Sequence, residues 1–85
     1  MKQLTIKIPF KEGLHARPAS ELAKACQVIE SDIVLTKGDR DVDPKSILGI
    51  MTLGAAYGDE VVFQVTGEDE DKAIEILDNH FTKSL

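Results

Sequence analysis

The residues best placed for chemistry form one short motif, Gly13-Leu14-His15-Ala16-Arg17-Pro18-Ala19, in which a histidine stands just ahead of a predicted helix. Pro18 supports a helix start here, because its missing N–H is no loss in a first turn. The unpaired amides of that turn and the positive end of the helix dipole favour a neutral imidazole at His15 and can hold an anion placed on it. Arg17 adds a planar set of donors that match phosphate oxygens. The motif therefore predicts a site that accepts and releases a phosphoryl group.

The motif also has an interpretation without any chemical function. Local physics alone favours the interpretation in which His15 lies in a surface loop and Arg17 is solvated, and for the isolated triplet the phosphoryl site is the alternative. No other residues of the sequence suggest a second reactive site. His80 is explained by packing and by the dipole at the end of the last helix. Cys26 lies on the apolar stripe of the first helix, so we expect a buried thiol, and a single cysteine forms no internal disulfide. We expect no metal site and no cofactor.

Two further surfaces could bind a partner. A short apolar helix is predicted over 47–53, directly after Ser46, whose hydroxyl can cap its first turn. Its apolar residues cover more of the helix circumference than one buried face requires, so part of them should remain exposed for docking; cover by loops or by the first helix is the alternative. A polar stripe also runs along the first helix, and its two cations indicate a positive rim for an acidic partner, with a solvated face as the alternative. The stripe consists of Arg17, Ser20, Lys24 and Gln27.

The elements that position these residues follow from hydrophobic periodicity. Gly38-Asp39 supplies the turn of a hairpin, because a two-residue turn needs a positive φ. The order βαββαβα predicts an α+β fold, a two-layer open-faced β-sandwich in which three helices cover one face of a four-stranded antiparallel sheet. The predicted strands cover 3–8, 33–35, 40–42 and 61–66, and the predicted helices cover 16–28, 47–53 and Asp69 to the C-terminus.

Composition narrows the class of protein. The 85 residues suit one domain over 1–85, and a net charge of −5 has the wrong sign for attraction to nucleic acid or to an anionic membrane surface. No apolar run approaches the length that spans a bilayer. We therefore expect a monomeric, cytoplasmic protein that neither binds nucleic acid nor inserts into a membrane.

The chain resembles the family of the histidine-containing phosphocarrier protein HPr, a component of the bacterial sugar phosphotransferase system. The likeness rests on the motif over 13–19 and on a second segment, Lys45-Ser46-Ile47-Leu48-Gly49-Ile50-Met51-Thr52-Leu53-Gly54, at the family's usual separation, and it extends over the whole chain. The resemblance implies that His15 takes a phosphoryl group from phosphorylated enzyme I and passes it to a histidine of a sugar-specific IIA protein. Arg17 would stabilise the transferred group. The resemblance further implies a stoichiometric carrier and not a turnover enzyme.

A docking patch and a regulatory site are also implied by the resemblance. Enzyme I and the IIA proteins would dock on the same patch in turn. Ser46 would be a regulatory phosphorylation site for an HPr kinase/phosphorylase, with a catabolite-control transcription factor as a further partner. A phosphate there would add about −1.5 to −2 charge beside the patch and repel an acidic partner. The implied docking residues are Arg17, Ser20, Lys24, Gln27, Ile47, Leu48 and Met51.

Departures from the family pattern bear on these expectations. Asp43-Pro44 adds a negative charge and a stiff residue to the loop that a kinase would grip. Gln27 stands where lysine is frequent and Glu12 where a small polar residue is common, and both weaken the positive rim. The alternatives are a nitrogen-branch phosphocarrier, a binding-only regulator of a transcription factor, and a structural module in which both motifs are accidental. His15 argues against binding as the sole role, and the segment over 45–54 favours the sugar branch.

Overall fold

The structure, a computed structural model, describes residues 1–83 and confirms the α+β fold. Four strands form one antiparallel sheet in the order β1-β4-β2-β3, and three helices share one hydrophobic core with it. The elements are β1 (Lys2–Lys7), α1 (Ala16–Gln27), β2 (Asp32–Lys37), β3 (Arg40–Val42), α2 (Ile47–Leu53), β4 (Glu60–Thr66) and α3 (Glu70–Lys83). Within the described residues, the helices lack the length and the apolar character of a bilayer-spanning segment.

The core lies between the helices and one face of the sheet. In β4, Val61, Phe63 and Val65 are buried, and strand alternation puts all three on this face. Leu35 of β2 lies opposite Phe63, so β2 buries the same face. All three helices contribute buried residues to this core: Ala19, Leu22, Ala23, Cys26, Ile50, Leu53, Ala73, Leu77 and Phe81. The apolar positions that recur at helical spacing in the sequence are therefore the positions at which each helix enters the core.

The strands differ from their predicted limits by a few residues. β1 ends at Lys7 and not at Ile8, which exchanges backbone hydrogen bonds with the loop before β4 instead. The Ile8 N–H donates to Asp59 O at 2.8 Å, and the Ile8 carbonyl accepts the Gly58 N–H at 2.9 Å. β2 and β4 are longer than predicted, because cross-strand pairing extends the ladder past the apolar residues that mark these strands in the sequence.

The helix ends differ in the same way. α1 stops at Gln27, one residue early, because the Ile29 N–H bonds to Cys26 O only three residues back and tightens the chain into a turn. α3 begins at Glu70, and Asp69 flanks it with a carbonyl that accepts the Ala73 N–H at 2.8 Å. The predicted end of this helix at the C-terminus lies outside the described residues.

The β2–β3 hairpin turns where the sequence predicts. Lys37 pairs with Arg40 across the turn, and Gly38 adopts φ +60°. A positive φ at the first of two central residues is typical of a type II′ turn, which glycine enters without steric cost.

Candidate functional site

His15 occupies the N-cap position of α1. Its backbone is extended, with φ −80° and ψ −171°, and its carbonyl accepts the Ala19 N–H at 2.9 Å. The imidazole makes no capping hydrogen bond, and the side chain is 45% exposed. The predicted helix start is therefore confirmed, with the imidazole open to a partner and the first-turn amides unused by it.

The loop that carries His15 is anchored by a close backbone approach. The Leu14 N–H donates to Ala55 O at 3.0 Å, and Gly13 adopts φ +74°. A Cβ at position 13 would lie 2.6 Å from Ala55 O, which only a glycine avoids. Gly13 thus allows a close backbone approach to the segment that follows α2.

An open cleft of about 750 Å³ surrounds His15. It brings Arg17 together with the histidine, as the motif predicts, and it also includes the end of α3, for which the sequence predicts no functional role. Three cations and two carboxylates line it, which makes its surroundings more positive than the chain as a whole. The lining residues are Phe10, Lys11, Glu12, His15, Arg17, Pro18, Glu21, His80 and Lys83.

Glu12 contacts the histidine directly. Its Oε2 lies 3.5 Å from His15 Nε2, and the Glu12 side chain is 80% exposed. From the sequence alone, Glu12 is expected only to weaken the positive rim. The contact depends on the turn around Gly13, where the Gly13 N–H bonds to Phe10 O at 2.9 Å.

α2 divides its apolar residues between the core and the surface. Ile50 is fully buried, whereas Ile47 and Met51 are each 43% exposed and Leu48 is 72% exposed. The Ser46 Oγ accepts the Gly49 N–H at 3.1 Å, so the predicted cap is present. We call Ile47, Leu48 and Met51 the apolar patch.

Contacts at both ends fix α1 relative to α2. Gln27 at the end of α1 donates its Nε2–H to Lys45 O at 3.0 Å, just before α2. At the other end, the His15 loop bonds to Ala55, just after α2. Ser46 and His15 therefore lie at opposite ends of the helix pair. The 12 residues of α1 span about 18 Å at the usual helical rise.

The remaining predicted residues lie along this pair. Lys24 is exposed on α1 and Ser20 is half-buried. Asp43-Pro44, a departure from the family pattern, builds the start of α2. Asp43 accepts the Lys45 N–H at its Oδ1 and the Ser46 N–H at its carbonyl, at 2.9 and 3.1 Å, and Pro44 is buried.

Cys26 is fully buried in α1, as predicted. Burial raises the pKa of its thiol to about 12, while Lys45 opposes the shift and Asp43 adds to it. The thiol is therefore protonated and unsuited to act as a nucleophile at neutral pH. Among residues 1–83, no group of three His, Cys, Asp or Glu side chains is arranged to hold a metal ion.

Comparison with known proteins gives a consistent result. Residues 2–83 match the model of the family described as the PTS HPr component phosphorylation site. The chain is 39% identical over 77 residues to the HPr-like protein Crh of Bacillus subtilis, covering 91% of each chain. It has the same identity, length of match and coverage with the phosphocarrier protein HPr of Buchnera aphidicola subsp. Acyrthosiphon pisum.

Two solved structures superpose on this chain over most of its length. An HPr from Thermoanaerobacter tengcongensis superposes with a TM-score of 0.91 at 40% identity, covering 96% of this chain and 92% of that one. An HPr dimer from the same bacterium superposes with a TM-score of 0.77 at 39% identity, covering 99% and 97%.

Proposed function

Because this chain belongs to the HPr family of phosphotransferase-system phosphocarriers, we propose that His15 takes a phosphoryl group from phosphorylated enzyme I and passes it to IIA components of sugar permeases. The observation that carries the proposal is the N-cap position of His15, where a half-exposed imidazole adjoins first-turn amides that its side chain leaves unused. Such amides suit an anion. The protein is then a carrier, because the group it accepts leaves again with the next protein.

The charges around the site support a transfer that is reversible. Phosphoryl transfer depends mainly on positioning and on electrostatic stabilisation of the phosphoryl oxygens. Lys11, Arg17 and Lys83 line the cleft and can offset that negative charge. The site is also open and exposed, so the phosphoryl group is not enclosed and a second protein can approach it.

Mass spectrometry tests this proposal, with His80 as the matched control. We expect incubation with enzyme I and phosphoenolpyruvate to add one phosphoryl group that brief acid removes. His15→Ala should abolish the addition, whereas His80→Ala, which changes the other histidine of the same cleft, should retain it. Failure of the wild-type protein to take up phosphate from an enzyme I that charges another HPr would contradict the proposal.

The docking surface is proposed to combine the apolar patch with the polar stripe of α1. Leu48 is the most exposed member of the patch, so replacing it costs little core packing. We expect Leu48→Ser to raise the KM for enzyme I several-fold without changing the free energy of unfolding. Val34→Ser is the control, since Val34 is an exposed apolar residue of β2, and it should leave the KM unchanged. The proposed surface residues are Arg17, Ser20, Lys24, Gln27, Ile47, Leu48 and Met51.

Ser46 is proposed as a site of regulation by an HPr kinase/phosphorylase. Because Ser46 and His15 are separated by the length of α1, well beyond the screening length at physiological salt, a phosphate at Ser46 would act on docking and not on the imidazole. Ser46→Asp keeps a capping side chain, so we expect unchanged stability with a raised KM for enzyme I. An unchanged KM, or no phosphorylation of wild-type protein by the kinase with ATP, would contradict this role.

A second function is favoured by the likeness to the HPr-like protein Crh. The Ser46-phosphorylated form would bind a catabolite-control transcription factor through the apolar patch. Isothermal titration of the phosphorylated protein with such a factor tests this function. We expect binding that Leu48→Ser weakens and Val34→Ser does not; equal affinity for the phosphorylated and unphosphorylated forms would exclude it.

A further inference from the structure

The segment that joins α2 to β4 carries the backbone group that holds the His15 loop, and this group has a second partner. The carbonyl of Ala55 accepts the Leu14 N–H at 3.0 Å. The N–H of the same peptide unit, which belongs to Ala56, donates to Asp59 Oδ2 at 2.8 Å. Because both bonds use one planar amide, a negative charge at its N–H end strengthens the acceptor at its carbonyl end. A carboxylate is therefore connected to the backbone next to His15 through a single peptide unit.

Asp59 is in turn fixed by Lys37 at the end of β2. The Lys37 Nζ lies 3.0 Å from Asp59 Oδ2, and each side chain is 34% exposed. The same Nζ donates to Gly54 O at 3.0 Å, so one ammonium group holds both the first residue after α2 and the last residue before β4. The hydrogen bond from the Ala56 amide first, and then Lys37, lower the pKa of Asp59 from its ordinary value, so its carboxylate is ionised at neutral pH.

We propose that Lys37 and Asp59 are positioning residues for phosphoryl transfer by His15. They hold the 55–56 peptide in place, and its hydrogen bond to Leu14 passes that constraint to the histidine, which follows directly in the chain. This proposal rests on the proposed function of His15. A displacement of about 1 Å far from the reacting atoms can slow a reaction about 100-fold, so the position of the imidazole beside the first-turn amides matters for the rate.

The pair acts through the backbone, because it lies outside the cleft. Within residues 1–83, neither Lys37 nor Asp59 lines the cleft around His15. The pair also contributes nothing to the proposed docking surface. No side chain fits at Gly13 to hold the loop from its own side, since a Cβ there would lie 2.6 Å from Ala55 O. The support therefore comes from the far side of the segment between α2 and β4.

An electrostatic effect over a distance would give a different pattern. Removing the charge of Lys37 makes the molecule more negative, which opposes an incoming phosphoryl group, whereas removing the charge of Asp59 makes it less negative. A long-range field would therefore change the transfer rate in opposite directions in the two variants. Loss of position lowers the rate in both, because either variant breaks the ion pair that holds the segment.

The rate of phosphoryl transfer from enzyme I, followed by rapid quench at saturating protein, tests the proposal. We expect Asp59→Ala and Lys37→Met each to lower the rate constant about tenfold and to leave the KM for enzyme I unchanged. The double variant should lose less than the product of the two single losses, because both residues hold one segment. Asp59→Asn should recover part of the rate, since its side-chain oxygen still accepts the Ala56 N–H.

A second ion pair provides the matched control. The Lys2 Nζ lies 3.1 Å from Asp71 Oδ1, and this contact joins β1 to α3 without touching the segment between α2 and β4. Lys2→Met and Asp71→Ala remove the same two kinds of charge as the test variants. Both should transfer the phosphoryl group at the wild-type rate.

Amide hydrogen exchange followed by NMR is a readout that needs neither phosphate nor a partner. We expect the Leu14 amide to exchange several-fold faster in Asp59→Ala, because its hydrogen bond to Ala55 O opens more often. Phe63, in the doubly paired strand β4, reports global unfolding and shows whether the fold is intact. Comparison with the Phe63 amide therefore separates local opening of the loop from a loss of overall stability.

An unchanged Leu14 exchange rate in Asp59→Ala, relative to Phe63, would overturn the proposal. Transfer at the wild-type rate in Lys37→Met and Asp59→Ala, or opposite effects of the two changes, would overturn it as well. If wild-type protein takes no phosphate from an active enzyme I, the proposed function is contradicted instead. The Leu14 exchange rate then still decides whether the pair holds the His15 loop.

Discussion

Arg17 stands two residues after His15 and lines the same cleft with an exposed side chain. Its planar guanidinium can donate two parallel hydrogen bonds to phosphoryl oxygens, which a lysine cannot reproduce. At the scale of single residues, the site thus combines a histidine that we propose carries the phosphoryl group, an arginine that can hold the transferred group and a carboxylate that lies close to the ring.

Arg17→Ala is expected to slow phosphoryl transfer from enzyme I by about 10- to 100-fold, since hydrogen bonds to a charged group contribute about 1.5–3 kcal/mol. Arg17→Lys should recover part of the rate, because it restores the charge without the paired donors. Rapid-quench assays measure the rate of phosphoryl transfer from enzyme I to both variants. Lys24→Ala, which removes an exposed cation farther along α1, should raise the KM more than it lowers kcat. Equal effects of Arg17→Ala and Lys24→Ala on kcat would argue against phosphate contact by Arg17.

At the scale of elements, the position of His15 depends on how α1, α2 and their loops pack. The loop before α1 approaches the segment after α2 so closely that the backbone hydrogen bond from Leu14 to Ala55 leaves no room for a side chain at Gly13. The same end of α2 is also held by the sheet, because Lys37 of β2 donates to Gly54 O at 3.0 Å. The position of His15 is therefore supported by α2, an element that contains neither His15 nor Arg17.

Gly13→Ala tests this support, and Gly38→Ala is its matched control. Both glycines have positive φ, so both changes incur the left-handed penalty of about 1–2 kcal/mol. Only at Gly13 does the new methyl group meet backbone, and the forced rearrangement should cost about 1–3 kcal/mol more. Urea unfolding of both variants measures the difference. Equal losses of stability would show that the Ala55 contact imposes no steric limit.

At the scale of the whole molecule, Asp69 joins the start of α3 to the loop between α1 and β2. Its carboxylate accepts the Ser31 hydroxyl and the backbone N–H groups of Ser31 and Glu30, each of these two at 2.9 Å. The Ser31 hydroxyl first, and then the Glu30 amide, lower the pKa of Asp69 from its ordinary value. Residues nearly 40 positions apart are thus joined by one ionised side chain.

This arrangement predicts a loss of stability in acid. Asp69 has a lower pKa in the folded chain than in the unfolded chain, so the unfolded state binds more protons as the pH falls. The contribution is complete above the ordinary carboxyl pKa and disappears as the pH falls through the folded-state value. Asp69→Asn should therefore flatten the dependence of the unfolding free energy on acidic pH, measured with urea. Asp39→Asn, in the exposed β2–β3 turn, controls for the loss of one charge and should retain the wild-type slope.

The oligomeric state also belongs to this scale. The apolar patch contains only three residues, and a stable interface buries well over about 1,000 Å² in total, so we predict a monomer. Light scattering during size exclusion should give a mass near 9.3 kDa. A mass near twice that value would contradict the prediction and place this chain with the dimeric relative from Thermoanaerobacter tengcongensis.

Local sequence patterns were sufficient to predict most of the secondary structure and several features of the candidate site. Alternation and helical spacing depend on near neighbours, so the order of elements, the helix start at His15, the Ser46 cap and the exposed part of α2 were all accessible. The strand limits were missed where pairing partners extended the ladder beyond the apolar residues.

The features that came only from the tertiary structure join distant parts of the chain. The end of α3 lies in the same cleft as His15, and the backbone of Ala55 lies against Gly13. Ser46 and His15 lie at opposite ends of the α1–α2 pair. Sheet order and helix packing produce these contacts, and neither is encoded in the periodicity of any single segment. The motif therefore indicates the chemistry of His15, whereas the packed molecule determines which charges surround it.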